Sequence, residues 1–354
     1  MLQPSLKITL LLLIVTTIFR TIYYSVYLGR QKKINWEQAL KNRNFNFNLN
    51  GYDDILSFLP FAWIWIDITI ALFIASFFQN AIFWVILTFF TAGRFRALQE
   101  LTHIGIHQGF CRLKNLITIQ ANIFFQYPLF KPDVYYRKKS HYRHHFTAYD
   151  SRDPNVQDFL SIGFIKGISM KKFIFSMFYP LTPLGVLSTV KTAYKNFFNN
   201  KSSHGFLLRL ATIISTLTYF YVFAGSYGVV WGYLIPAFTI YPFLAWLAQL
   251  AEHRWFIPNT NVRDRVEYEY INGRPTDYPG LLGGIVRTWI FPFGDSYHLA
   301  HSLYINAHWL LLVNIDRELK KTEKKYMEFC SEGLFFSSTE RPSALSELKQ
   351  RLVV

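Results

Sequence analysis

Five apolar stretches set the frame of this chain: residues 6–28, 55–78, 81–97, 206–223 and 229–250. A hydrocarbon core needs about 20 apolar residues per helix, so these stretches predict four or five transmembrane helices. The second and third are joined only by a polar turn at Gln79-Asn80. The fourth and fifth are joined by Gly225-Ser226-Tyr227-Gly228. The first stretch carries Arg20, whose long side chain reaches an interface only if the helix is tilted or shifted. Its apolar run is long and no clean small-residue cleavage site follows, so it reads as a retained anchor and not as a signal peptide.

Between the hairpins the pattern changes. Residues 158–190 are apolar but broken by glycines, prolines and paired lysines, which predicts interfacial amphipathic helices and not a span. Residues 115–130 form a similar short apolar piece ended by Pro128. From Asp316 onward the chain is charged and lacks long apolar runs, as a small cap would be. The expected organisation is an N-terminal anchor and linker (1–53), a membrane and cap region (54–315) and a tail (316–354). The fold class expected is an all-α integral membrane protein, with four to five transmembrane helices and a cytoplasmic helical cap. Internal repeats and low-complexity segments are absent from the sequence.

Charge orients this frame. The chain is 51% hydrophobic and carries a formal net charge of +15. Lysine and arginine crowd the stretch after the first span (Arg30, Lys32, Lys33, Lys41, Arg43). They crowd again after the third (Arg94, Arg96, Arg112, Lys114, Arg137, Lys138, Lys139, Arg143), while the two short connections carry none. The positive-inside rule then places the N-terminus outside and the bulk of the polar mass in the cytoplasm. That rule, with attraction to anionic lipid, accounts for the basic excess without nucleic acid. Two cysteines, Cys111 and Cys330, are too few for a disulfide framework or a zinc ribbon.

Eight of the ten histidines fall into four tight groups: His103 and His107; His141, His144 and His145; His253; His298 and His301. On a helix, positions i and i+3 or i+4 share a face, so each multiple group aims its imidazoles at one point. All groups fall on the same predicted side of the membrane. A lone pair at this spacing is usually surface or core histidine, and the basic second group alone reads equally as a headgroup patch. Four groups together argue for metal. The count favours two ions over a single zinc, and the all-nitrogen set favours iron or copper over magnesium or calcium. Bound histidines donate their second nitrogen to a carboxylate or carbonyl, for which Glu100, Asp150, Asp153, Glu252 and Asp295 are candidates; the bland reading of each is a solvated or helix-capping acid. His204, after Asn-Asn-Lys-Ser-Ser, reads as a loop residue without a role.

His-x3-His after a span, then His-x2-His-His, then His-x2-His behind Asp-Ser-Tyr resembles the membrane fatty acid desaturase and hydroxylase superfamily. The resemblance covers residues 94–308, and the order of the three boxes is far more specific than any one of them. It implies four transmembrane helices under a cytoplasmic cap that holds a non-haem di-iron centre, and oxygen-dependent oxidation of an unactivated C–H bond. It implies His253 as a further ligand, and Gln249, one turn earlier, as an amide that holds a metal-bound water. The third box departs from the pattern: Ser302 stands where a third histidine is usual, and Ile305 where a proline is usual. His308, two helical turns on, would substitute if the segment stays helical; Asn306 is a further candidate.

The expected function is therefore a membrane oxidoreductase, a desaturase or hydroxylase. It would hold two iron ions and use molecular oxygen. The substrate would be an acyl chain or other apolar molecule presented in membrane lipid. Reductant must come from outside, from a ferredoxin or a b-type cytochrome, because the chain shows no His-Pro-Gly-Gly haem motif and no cysteine cluster. A metal-deficient relative acting as a membrane scaffold is the competing class that Ser302 keeps open. A haem electron-transfer protein fits less well, since its ligands would lie within facing spans.

Overall fold

A computed structural model describes residues 4–41, 49–147, 152–198, 203–257, 262 and 264–354. The chain is an all-α membrane protein. It divides into two compact units, the first formed by Met1–Ile34, Asn48–Tyr135 and Pro183–Leu244, the second by Asn35–Phe47, Tyr136–Thr182 and Ala245–Val354.

The first unit carries the apolar helices. Pro4–Gln31, Phe58–Phe78 and Ala81–Ile106 realise the first three predicted spans. The turn at Gln79-Asn80 forms because Gln79 adopts a left-handed conformation and Asn80 caps the next helix by accepting from the Ile82 N–H. The stretch Gly205–Glu252 is 48 residues long and apolar throughout, about twice what one crossing needs. It folds back on itself. Ala224 and Gly225 leave helical geometry, Gly225 at φ 59°, a region open to glycine at little cost. The two arms then approach closely: a Cβ on Gly228 would stand 2.5 Å from the Phe220 carbonyl oxygen, and the Phe220 and Tyr233 rings stack at 5.1 Å. The fourth and fifth predicted spans are the arms of this hairpin.

Arg20 does more than snorkel. Its guanidinium pairs with Asp67 on the neighbouring helix, where Arg94 also approaches at 3.5 Å and the Thr16 hydroxyl donates at 3.3 Å. An ionisable group at this depth needs such a partner. Residues 115–130 also differ from the interfacial expectation. Phe124 stacks on Phe61 at 5.6 Å, its carbonyl accepts from the Trp65 indole, and Phe125 is fully buried, so this piece belongs to the core of the unit. The Pro183–Phe198 helix does present an exposed apolar row of Leu184, Leu187, Val190, Tyr194 and Phe198, as the amphipathic reading requires. His204 lies in the first turn of the Ser203–Tyr227 helix and not in a loop.

The second unit is built from shorter helices around polar buried groups. The tail is woven into it. Ser331–Glu332 pairs in parallel with Thr276–Asp277, and Val353 bridges to Ile168. The Ala344–Leu352 helix buries Ala344, Leu345, Leu348 and Leu352. Both cysteines are free thiols; burial raises that of Cys111 to about 11.

Candidate metal centre

In the first unit the Ala81–Ile106 helix runs nine residues past the predicted end of its span and carries His103 in its last turn; His107 stands at its C-cap. The two rings lie 5.4 Å apart and their ligand nitrogens within 4.8 Å. His103 Nδ1 donates to Glu100 Oε1 at 2.7 Å, and Arg96 holds the other oxygen of that carboxylate at 3.2 Å. With its proton fixed on Nδ1, His103 presents an unprotonated Nε2.

The second unit gathers the other six histidines into two groups. Val134–Thr147 carries three of them on one helix. Its start is anchored from the preceding segment: Asn122 accepts from the Val134 N–H, while Asn122 and Tyr127 both donate to Asp133.

The first group is His144, His253 and His298. His144 Nε2 lies 3.3 Å from His253 Nε2, and His298 Nε2 lies 3.0 Å from the same atom. His144 Nδ1 donates to Asp153 at 2.9 Å and His298 Nδ1 to Asp295 at 3.3 Å. Each of these two rings therefore turns a lone pair towards His253, which has at most one Nε2 proton to share between them. A cation resolves the conflict. With a metal–nitrogen bond of about 2.1 Å, ligand nitrogens stand about 3.0 Å apart at right angles and about 3.4 Å apart in a tetrahedron. The observed separations fall in that range, so the residues present fit a metal ion. Glu252 adds a carboxylate oxygen within 4.8 Å of His253 and His298.

Electrostatics agree. Burial holds His253 well below the usual histidine range, and His298, His144, His145 and Arg274 push it further down. The shift favours the neutral ring, the form that binds metal.

Local structure explains the aim of these rings. Asp153 serves twice: one oxygen caps the Pro154–Ile162 helix by accepting from Asn155, and the other takes the His144 proton. Ahead of Asp295, Phe293 and Gly294 both adopt positive φ, 53° and 82°. A side chain at Gly294 would sit 3.0 Å from the Trp309 carbonyl oxygen. That tight turn delivers Asp295 and His298 together. Trp255, fully buried, lies 5.0 Å from the His253 ring and anchors its indole on the Gln249 carbonyl oxygen.

The second group is His141, His145 and His301, whose ligand nitrogens lie within 4.8 Å of one another. His141 and His145 meet Nε2 to Nε2 at 3.0 Å, and the His145 and His301 rings are 6.2 Å apart. His301 is buried; His141 and His145 are half-buried. Beside His301, Ser302 is 2% exposed, and its hydroxyl has no hydrogen-bond partner among the described residues.

His308 does not join either group. The helix His298–Leu303 ends, and His308 begins the next one as its N-cap, its Nδ1 accepting from the Leu310 N–H. The condition for its substitution, a continuous helix, is not met. Asn306 is exposed. Gln249 is on the last turns of Tyr241–Glu252, where its carbonyl serves Trp255. Asp150 lies outside the described residues. Trp255, Arg274 and Glu347 were invisible to sequence reasoning, because no spacing rule links them to the boxes.

Comparison with known proteins comes to the same place. A family model described as fatty acid desaturase matches residues 76–332, a stretch that contains all four histidine groups. The dihydrorhizobitoxine desaturase of Bradyrhizobium elkanii is 24% identical over 273 residues, covering 72% of this chain and 74% of that protein.

Proposed function

The chain belongs to the fatty acid desaturase family, and we propose that it is an oxygen-dependent di-iron oxidoreductase acting on an acyl chain or other apolar substrate presented in the membrane. One observation carries the metal reading: the Nε2 atoms of His144 and His298 both face His253 Nε2 while their Nδ1 protons are held by Asp153 and Asp295. The proposed ligands are His103, His107, His141, His144, His145, His253, His298 and His301. The sequence supplies the first pair to that set, and Glu100 braces it. Between desaturation and hydroxylation, the similarity to dihydrorhizobitoxine desaturase favours desaturation.

A reduced iron pair would supply the oxygen activation that an unactivated C–H bond demands. The protein's own part is to keep the ligands neutral and aimed. Asp153 and Asp295 fix the tautomers of His144 and His298, and burial of His253 excludes a competing proton. Ser302 would leave one position next to His301 without a side-chain ligand, which water would fill. Electrons come from an acidic carrier, a ferredoxin or a b-type cytochrome. Arg112, Lys114, Arg137, Lys138, Lys139 and Arg143 would steer that carrier, an attraction screened over about 10 Å at 0.1 M salt. The N-terminus is proposed outside and the histidine groups in the cytoplasm.

The test is turnover of the iron-loaded protein in lipid vesicles, with ferredoxin, reductant and a panel of acyl substrates, read by mass spectrometry. A product two hydrogens lighter, or one oxygen heavier, that disappears in His144→Ala is the expected result. Iron-loaded protein that consumes oxygen but alters no acyl substrate would overturn the substrate assignment.

A further inference from the structure

The C-terminal helix reaches the metal centre from behind. Arg274 is fully buried, and its guanidinium spreads over three carbonyls: Nη1 donates to His253 at 3.3 Å, and Nη2 donates to Ala251 at 3.1 Å and to Ala344 at 3.2 Å. Arg254 donates through Nη1 to the Ile271 carbonyl at 2.7 Å, and its guanidinium lies 3.4 Å from the Phe329 ring centre. Arg351 donates through Nε to the Trp255 carbonyl at 2.8 Å. Arg274 and Arg351 thus grip the backbone at residues 251, 253 and 255, on both sides of His253 and at it, while Arg254, itself in that stretch, ties it to Ile271.

Three cations in one buried place repel each other, and a single carboxylate holds them together. Glu347 takes Arg254 Nε at 2.8 Å and Arg274 Nη1 at 2.8 Å, and also pairs with Arg351. Charge-assisted contacts of this kind are short and directional, so they fix geometry as well as charge. Glu347 lies beyond the residues that the family model matches.

We propose that Glu347, on the Ala344–Leu352 helix, is a positioning residue for His253, acting through Arg274, Arg254 and Arg351. The carboxylate sets the three arginines. Arg274 and Arg351 set the carbonyls of residues 251, 253 and 255, and Arg254 ties the same stretch to Ile271. That backbone sets the direction of the His253 Nε2 between His144 and His298. The inference rests on the metal reading proposed above. Loss of the clamp acts on the ion held by His144, His253 and His298 and spares the ion at His141, His145 and His301.

The experiment compares wild type, Glu347→Gln and Arg351→Met by chelator competition for iron, Mössbauer spectra of the ferrous protein and thermal melting of the iron-free protein. Glu347→Gln leaves three arginines without their carboxylate and is the variant at risk of not folding. Arg351→Met removes the grip on Trp255 and one of the three partners of Glu347, and keeps Glu347 with Arg274 and Arg254. Outer partners of metal ligands are worth about 10–100-fold in affinity. The expected result is a loss of that order at one iron in both variants, with one of two Mössbauer doublets shifted and the other retained. In Arg351→Met this loss comes with melting of the iron-free protein near the wild-type value. Lowered melting with both irons bound at wild-type affinity and unchanged doublets would make the clamp a packing device only, and would overturn the proposal. Wild-type protein without iron would instead remove the metal reading on which the proposal stands.

Discussion

The two histidine groups of the second unit are built on different principles. His144, His253 and His298 are all buried, at 4%, 2% and 7% exposure. They are drawn from three separate stretches of chain and are braced by Asp153, Asp295 and the Arg274 carbonyl clamp. His141 and His145 come from one turn of one helix, are half-buried, and are joined by His301, with a serine next in line. The first group spends distant side chains on rigidity. The second obtains its pair from helical spacing alone and leaves those two rings half-buried. In the proposed two-ion centre, rigidity and access would be served by different groups, and the departure from the family's third box, the buried Ser302, falls beside the second.

The largest test of that division removes ligands. His144→Ala is expected to abolish turnover and to leave one iron per chain, because its loss breaks the tight group. His141→Ala is expected to lose turnover too, but to weaken iron binding less. Iron content by plasma emission checks both. Equal iron loss in the two variants would erase the distinction between the groups.

A smaller effect is expected from the bracing acids. Asp153→Asn keeps the cap on the Pro154–Ile162 helix but weakens the hold on the His144 proton, and about 10–100-fold in iron affinity is expected to go with it. Asp295→Asn, at a longer 3.3 Å, is expected to cost less. Chelator titration ranks them, and the reverse order would show that the distances do not report the bracing.

These acids mark where the sequence stopped being legible. The boxes were readable because helical spacing alone makes histidines converge. The hairpin was readable because Gly225 and Gln79-Asn80 interrupt apolar runs. Asp153 was ambiguous between a cap and an orienting acid; it is both, through its two oxygens, and no one-dimensional pattern separates those roles. His308 was legible only as a conditional candidate: the helix carrying His301 ends at Leu303, so the two-turn spacing never forms. Arg274 and Glu347 are 73 residues apart, and only tertiary packing brings that pair to His253. Arg20 was visible, but its partner Asp67 was not, for the same reason.

The smallest expected effects concern Ser302. A buried hydroxyl without a partner costs about 1–3 kcal/mol, so Ser302→Ala is expected to raise the melting point of the iron-free protein by a few degrees. If the hydroxyl holds a metal-bound water, the same variant lowers iron affinity at the second group. Ser302→His is expected to raise that affinity without raising turnover, since a further nitrogen would close a position proposed for oxygen. Calorimetry and steady-state assays separate these results; faster turnover in Ser302→His would mean that the open position is a defect and not a device.

The most direct measurement is the metal content of the purified full chain, with Mössbauer spectroscopy on iron-57-labelled protein. The account predicts about two irons per chain, in two distinguishable nitrogen-rich environments, with no haem absorption. One zinc, a haem, or no metal at all in folded protein would contradict it.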